Sequence, residues 1–166
     1  MTDKKPGKGD DTVREIVFRR ASEQDILFVG ETYEQNQEKL HGVTRNRDDW
    51  KRLLENPDVA YYIVETVEPV EPVAWFSVET EKDVLWLAML QIHPKFQRQG
   101  FGKRVLSFVE SLAKTNGIGT VGIHTTEDNI PAQALYRSAG YEVSEFGKCT
   151  TADGAERMGY TFLKTV

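Results

Sequence analysis

Leu90-Gln-Ile-His-Pro-Lys-Phe-Gln-Arg-Gln-Gly-Phe-Gly-Lys103 is the stretch from which the rest of the chain is read. It closes Val84–Ile92, an almost unbroken apolar run of the kind expected for a central strand covered on both faces. Pro94 ends that strand, a short basic loop follows, and Gly100 and Gly102 stand where a helix opens. Such a turn gathers unpaired amide N–H groups at the positive end of a helix dipole. Glycines also let a phosphate come close to the backbone. The expected ligand is a phosphate or pyrophosphate, helped by Arg98, Lys103 and Arg104. Two common phosphate loops do not fit. Gly102-Lys103 is followed by Arg104 and lacks the earlier glycine of a P-loop, and the third glycine of a dinucleotide fingerprint would fall on Val105.

Working outward, Phe101, Val105, Phe108, Val109 and Leu112 recur with helical period, and Asn116-Gly117 ends that helix. Thr120–His124 reads as a strand. Pro131 begins a short helix with Ala132, Leu135, Tyr136 and Ala139 on one face and Gly140 just past its end. Tyr141–Phe146 and Arg157–Leu163 read as two last strands around a turn at Cys149–Ala155. Upstream, Val13–Arg19 is a strand, and Ser22-Glu-Gln-Asp25 has the pattern of a capping box opening a helix. Asp48 or Asp49 caps a second helix that Asn56-Pro57 stops. Val59–Glu65 and Val73–Val78 are strands separated by a loop holding Pro69 and Pro72, and a turn at Glu79–Asp83 leads into Val84–Ile92. Strands in meander followed by βαβ predict an α/β domain, a mixed central sheet of about seven strands flanked by about four helices.

The chain has 166 residues, 39% hydrophobic and 28% charged, which suits one soluble domain. Residues 1–12 read as a flexible N-terminal tail and 13–166 as a single domain. The net charge of −5 argues against a nucleic-acid partner, and no apolar run is long enough for a membrane span. One cysteine, Cys149, and no secretory pattern point to a cytoplasmic protein. His41, His93, His124 and Cys149 lack metal-ligand spacing, so no metal is expected.

Gln97-x-x-Gly100-x-Gly102 resembles the acetyl-CoA signature Q/R-x-x-G-x-G/A of the GCN5-related N-acetyltransferase (GNAT) superfamily. Asn129-Ile-Pro-Ala132-Gln-Ala-Leu135-Tyr136-Arg-Ser-Ala-Gly140-Tyr141 resembles its second motif, with Tyr141 where Phe is usual. Both stand in the right order, and the resemblance covers Val73–Phe146 firmly. It implies the GNAT fold and an acyltransferase that uses acetyl-CoA as co-substrate, passing acetyl directly to a primary amine of a small molecule or peptide. Homodimers are common among similar proteins. It further implies that backbone amides of Gln99, Gly100, Phe101, Gly102 and Lys103, with Gln97 and Arg98, hold the pyrophosphate. The main chain of Leu90 and Ile92 would pair with the pantetheine arm, where two parallel strands splay after a bulge near Ala88 and Met89. Plain core packing of the Leu90 and Ile92 side chains is compatible with that role.

Tyr136 is the implied catalytic group, as a general acid to the departing thiolate or as an orienter of the thiol, although its helical face also suits packed core. Asn129 is a helix cap, a cofactor contact, or both. The general base departs from the resemblance, because Leu87-Ala88-Met89 carries no carboxylate. Glu79 is a candidate, as are Glu31, Glu34 and His41, with a water relay equally open. His93 and His124 are possible, though a lone strand histidine more commonly serves structure. A non-catalytic acyl-CoA sensor and an enzyme for a longer acyl-CoA are the rival readings. The acidic residues Glu68, Glu71, Glu79, Glu81 and Asp83, opposed only by Lys82, favour a cationic acceptor.

Overall fold

The computed structural model describes residues 14–37 and 41–166. The expected tail 1–12 and the start of the first strand at Val13 lie outside the described residues. The chain runs β1 (Ile16–Arg20), α1 (Ile26–Asn36), α2 (Arg47–Leu54), β2 (Val59–Thr66), β3 (Glu71–Glu81) and β4 (Val84–Ile92). It continues through α3 (Phe101–Thr115), β5 (Thr120–Thr126), α4 (Ile130–Ser138), β6 (Glu142–Thr150) and β7 (Glu156–Thr165). The seven strands form one sheet in the order β1-β2-β3-β4-β5-β7-β6. Every neighbouring pair is antiparallel except β4–β5, which is parallel and joined by the α3 crossover.

Each face of the sheet buries its own apolar set. On one face the Phe101, Val105, Leu106, Val109 and Ala113 side of α3 and Tyr136 of α4 close over Phe76, Val78, Leu85, Leu87, Ile123 and Phe162. On the other, Ile26, Val29 and Tyr33 of α1 and Trp50 of α2 cover Tyr61, Ile63 and Trp75. Full burial of each such aliphatic or aromatic side chain stabilises the fold by about 1.5–3 kcal/mol. The periodic reading of α3 therefore found the face that matters.

Several local boundaries differ from expectation, and four differences have a residue-level reason. The cap of α2 is Asn46: its carboxamide oxygen accepts from the Asp49 N–H at 3.0 Å, and the Asp49 carboxylate accepts from the Asn46 N–H at 3.0 Å. Asp49 is thus the reciprocal partner of a capping box rather than the cap. Pro72 belongs to β3, beside a register shift against Val64/Glu65, a bulge where a missing N–H is tolerated. The β3–β4 turn shrinks to Lys82-Asp83, both at positive φ (49° and 62°), a tight two-residue hairpin. Cys149 lies within β6, opposite Arg157, and not in the turn.

Arg19 ties three elements together. It donates to both oxygens of Asp25 at 2.7 and 2.8 Å and to Glu65 at 2.6 Å, joining β1, the entry to α1 and β2. Burial alone would raise the Asp25 carboxyl, but the Arg19 bonds and the Ser22 N–H outweigh it and hold that carboxyl below its usual value. A depressed folded-state pKa contributes stability above the unfolded value of about 3.9 and loses it as pH falls further. Asp25→Asn should therefore cost about 2 kcal/mol in urea unfolding at pH 7. That is less than for a fully buried pair, because the Arg19 side chain is 39% exposed. The gap between wild type and variant should narrow as the pH drops below about 4.

Candidate functional site

The site begins with one extra residue. Along β3–β4 the register runs Ser77↔Met89 and then Val78↔Leu87, so Ala88 bulges out of the ladder. A bulge reverses which residues face which side. Leu85 and Leu87 face α3 before it, and Leu90 and Ile92 face α3 after it. The parallel pairing of β4 with β5 stops at the same place, its last pair being Leu87↔Ile123. Beyond it both strands continue unpaired with each other, β4 to Ile92 and β5 to Thr126. The N–H of His93 bonds to Val73 O on β3, so strand alternation turns the main chain of Leu90 and Ile92 toward the gap.

That gap opens into a cleft of about 890 Å³. At one end lies the start of α3. Gly100 sits at φ 84° with no side chain capping the helix, and Arg98 is also at positive φ, 64°. The first-turn N–H groups of Phe101, Gly102 and Lys103 are thus left for a ligand. Gly102 is needed for another reason: a Cβ there would stand 2.8 Å from the Leu135 side chain of α4. The two glycines do different jobs, one turning the chain and one letting two helices meet.

Most of the expected contacts come together here. Leu90, Ile92, Gln97, Arg98, Gly100, Phe101, Gly102, Lys103, Asn129 and Tyr136 all line the cleft. Gln99 is exposed beside it, with its side chain bonded to Lys95 O. Arg104 turns away and donates to Arg14 O at 2.6 Å. Gln97 faces inward as well as outward: its Nε2 donates to Asn36 Oδ1 and to Ile92 O at 3.0 and 3.1 Å. Asn36 Nδ2 donates in turn to Gln91 Oε1 and Ile92 O. This buried amide network pins the loop to α1 and β4. Asn36 and Gln91 had no motif to reveal them; a polar residue in each of two otherwise apolar elements was the available signal.

Tyr136 is buried against Tyr141 and Phe162, and burial pushes its phenol up to about 12. Asn129 caps α4, accepting from the Ala132 N–H at 3.4 Å, and also lines the cleft, so both of its expected roles are geometrically compatible. Glu79 is exposed on β3 and outside the cleft. Glu71 and Glu65 are engaged by Lys95 and Arg19. Among the described residues no carboxylate lines the cleft at all. His93 is structural: its Nδ1 accepts from the Lys95 N–H and its ring lies near Phe28. His41 pairs with Asp128 at 2.6 Å, and its carbonyl accepts from the Asp153 N–H, so the α1–α2 connection reaches the β6–β7 turn. Among the described residues no cluster of three potential metal ligands occurs, and no helix is long and apolar enough to cross a membrane.

A mixed sheet that splays at a bulge, with an uncapped helix start at one end of the opening, has the geometry to receive an extended ligand that carries phosphate. Residues 25–141 match the model of the acetyltransferase (GNAT) family, and the chain belongs to that family. It is 30% identical over 89 residues to the [ribosomal protein bS18]-alanine N-acetyltransferase of Haemophilus ducreyi. That match covers 54% of this chain and 61% of the relative, so the chain matches about three fifths of the relative's length. The fold is shared with a spermidine N-acetyltransferase from Vibrio cholerae solved with CoA and spermine, at TM-score 0.77 and 13% identity, covering 90% of this chain and 95% of that one. It is likewise shared with a Salmonella typhimurium acetyltransferase solved with acetyl-CoA, at TM-score 0.70 and 15% identity, covering 90% and 93%.

Proposed function

We propose that this chain is an N-acetyltransferase that moves an acetyl group from acetyl-CoA to a primary amine of a small molecule or peptide, directly, in a ternary complex. The observation that carries the reading is the splay of β4 from β5 at Ala88, with the uncapped α3 start and Tyr136 both on the cleft it opens. In this reading the amides from Gln99 to Lys103 hold the pyrophosphate, and the main chain of Leu90 and Ile92 meets the pantetheine amides. Ile92 O is already bonded by Asn36 and Gln97, which leaves its N–H as the free partner. The acetyl group then lies by Tyr136. Holding amine and thioester together supplies much of the rate.

The raised pKa refines what Tyr136 does. A phenol at about 12 holds its proton more tightly than a thiol at about 8.5. It therefore donates a hydrogen bond to the departing sulfur, steadying the developing negative charge, rather than surrendering its proton outright.

Thiol release from acetyl-CoA, followed with polyamines, amino acids, aminoglycosides and peptides bearing a free N-terminus, tests the function. One amine class should give saturable release with stoichiometric acetyl-amine. Tight acetyl-CoA binding with no release for any class would make the protein a sensor instead.

A further inference from the structure

We infer that His124 takes the proton from the attacking amine, an assignment that rests on the acyl-transfer reading above. The position comes first. His124 is the residue directly after Ile123, the last β5 residue paired with β4, so it stands where the strands part and opposite the bulged Ala88. It lines the same cleft as Tyr136. Chemistry narrows the choice further. The other titratable groups lining that cleft are Tyr33, Arg98, Lys103, Tyr136 and Cys149, with no carboxylate among the described residues. Of these side chains and His124, the neutral imidazole is the one that offers a ring-nitrogen lone pair able to accept a proton.

The ring is also held as a positioned base requires. It stacks on Trp86 with centroids 4.4 Å apart and planes 8° apart. Gly122, two residues earlier on the same face, makes room for that indole, since a Cβ there would stand 2.5 Å from it. Nδ1 lies 3.1 Å from Thr161 Oγ1 on β7. With Nδ1–H donated to Thr161, Nε2 keeps its lone pair, and no protein hydrogen bond engages Nε2 among the described residues. A strand histidine that served packing alone would be buried, whereas His124 is exposed to the cleft.

The step balances without a further reagent. The amine lone pair forms the C–N bond, the C–S bond breaks, and its electron pair leaves on sulfur. The amine proton passes to Nε2. Sulfur accepts the Tyr136 hydrogen bond and gains its proton from the imidazolium through solvent.

The neighbours packed on the ring, Trp86 from β4 and Thr161 from β7, carry no charge. The charged or titratable groups facing the cleft from other elements are Tyr33 (α1), Arg98 and Lys103 (the loop and α3), Tyr136 (α4) and Cys149 (β6). The His41–Asp128 pair adjoins the β5–α4 connection. The test compares wild type with His124→Gln and His124→Ala, using spermidine and an alanine-starting peptide as acceptors. Both variants should bind CoA in calorimetry as wild type does and lose about a hundredfold in kcat. Because the acceptor is common to both, the ratio of wild-type to variant pH profiles cancels the amine's own titration. That ratio should climb with pH on the acidic side and then level. Free imidazole should restore part of the kcat of His124→Ala. Variants within twofold of wild type, or a pH-independent ratio without rescue, overturn the assignment while leaving the acyl-transfer reading intact. A wild type that binds acetyl-CoA yet releases thiol with neither these acceptors nor any other amine overturns both.

Discussion

Tyr136→Phe should lower kcat by about a hundredfold or more while changing the affinity for CoA less than threefold. The two rings have nearly the same shape, so the packing against Tyr141 and Phe162 survives and the hydroxyl alone is removed. The sulfur of the leaving thiol then develops charge in a buried setting without its donor, where an unmet charge is most costly. Burial raises the phenol to about 12, so Tyr136 stays protonated through pH 10 and the wild-type profile should show no alkaline fall from this residue below that. The measurement is single-turnover kinetics with saturating acetyl-CoA, where chemistry limits the rate. Wild-type turnover in the variant would return Tyr136 to a packing role.

Gly100→Val should weaken CoA binding by tenfold or more, about 1.4 kcal/mol. Two effects contribute to that loss. At φ 84° any side chain strains the backbone, a β-branched one most, and the Cβ points into space free of protein atoms within 4 Å. That space is where a phosphate would approach. Gly100→Asn separates the two effects, because asparagine tolerates the left-handed conformation yet still fills the space. Loss of affinity in both variants, read by calorimetry on folded protein, means occlusion. Loss in valine alone means strain, and retention in both removes the loop from the phosphate site.

The sheet, its four helices and the glycine turn at one end of the cleft were legible because each rests on local pattern: Val84–Ile92 as an apolar run, the α3 period, and glycines at a helix start. What escaped was set by contacts distant in sequence. Asn36 and Gln91 lie 55 residues apart and meet only when α1 crosses β4. His124 was one of two histidines possible as a base, with a structural role the commoner reading, until the fold put it at the point where β5 leaves β4. Glu79 was chosen for its charge and its place at a strand end, yet β3 carries it past the cleft and leaves it solvated. Least legible is the junction where the α1–α2 connection, Asp128 and the β6–β7 turn come together through His41 with no shared motif.

The short β4–β5 ladder has a mechanical meaning. Its register spans Val84–Leu87 against Thr120–Ile123, about half the length of the β2–β3 or β6–β7 ladders. The sheet is thus two leaves, β1–β4 and β5–β7, meeting along a brief seam. An extended ligand bonded to Leu90 and Ile92 on one leaf, with its far end held at α3, would lengthen that seam with a strand the chain does not encode. Donor binding in such a molecule would also be bracing, because it would add strand pairing along the one line where the two leaves are least joined.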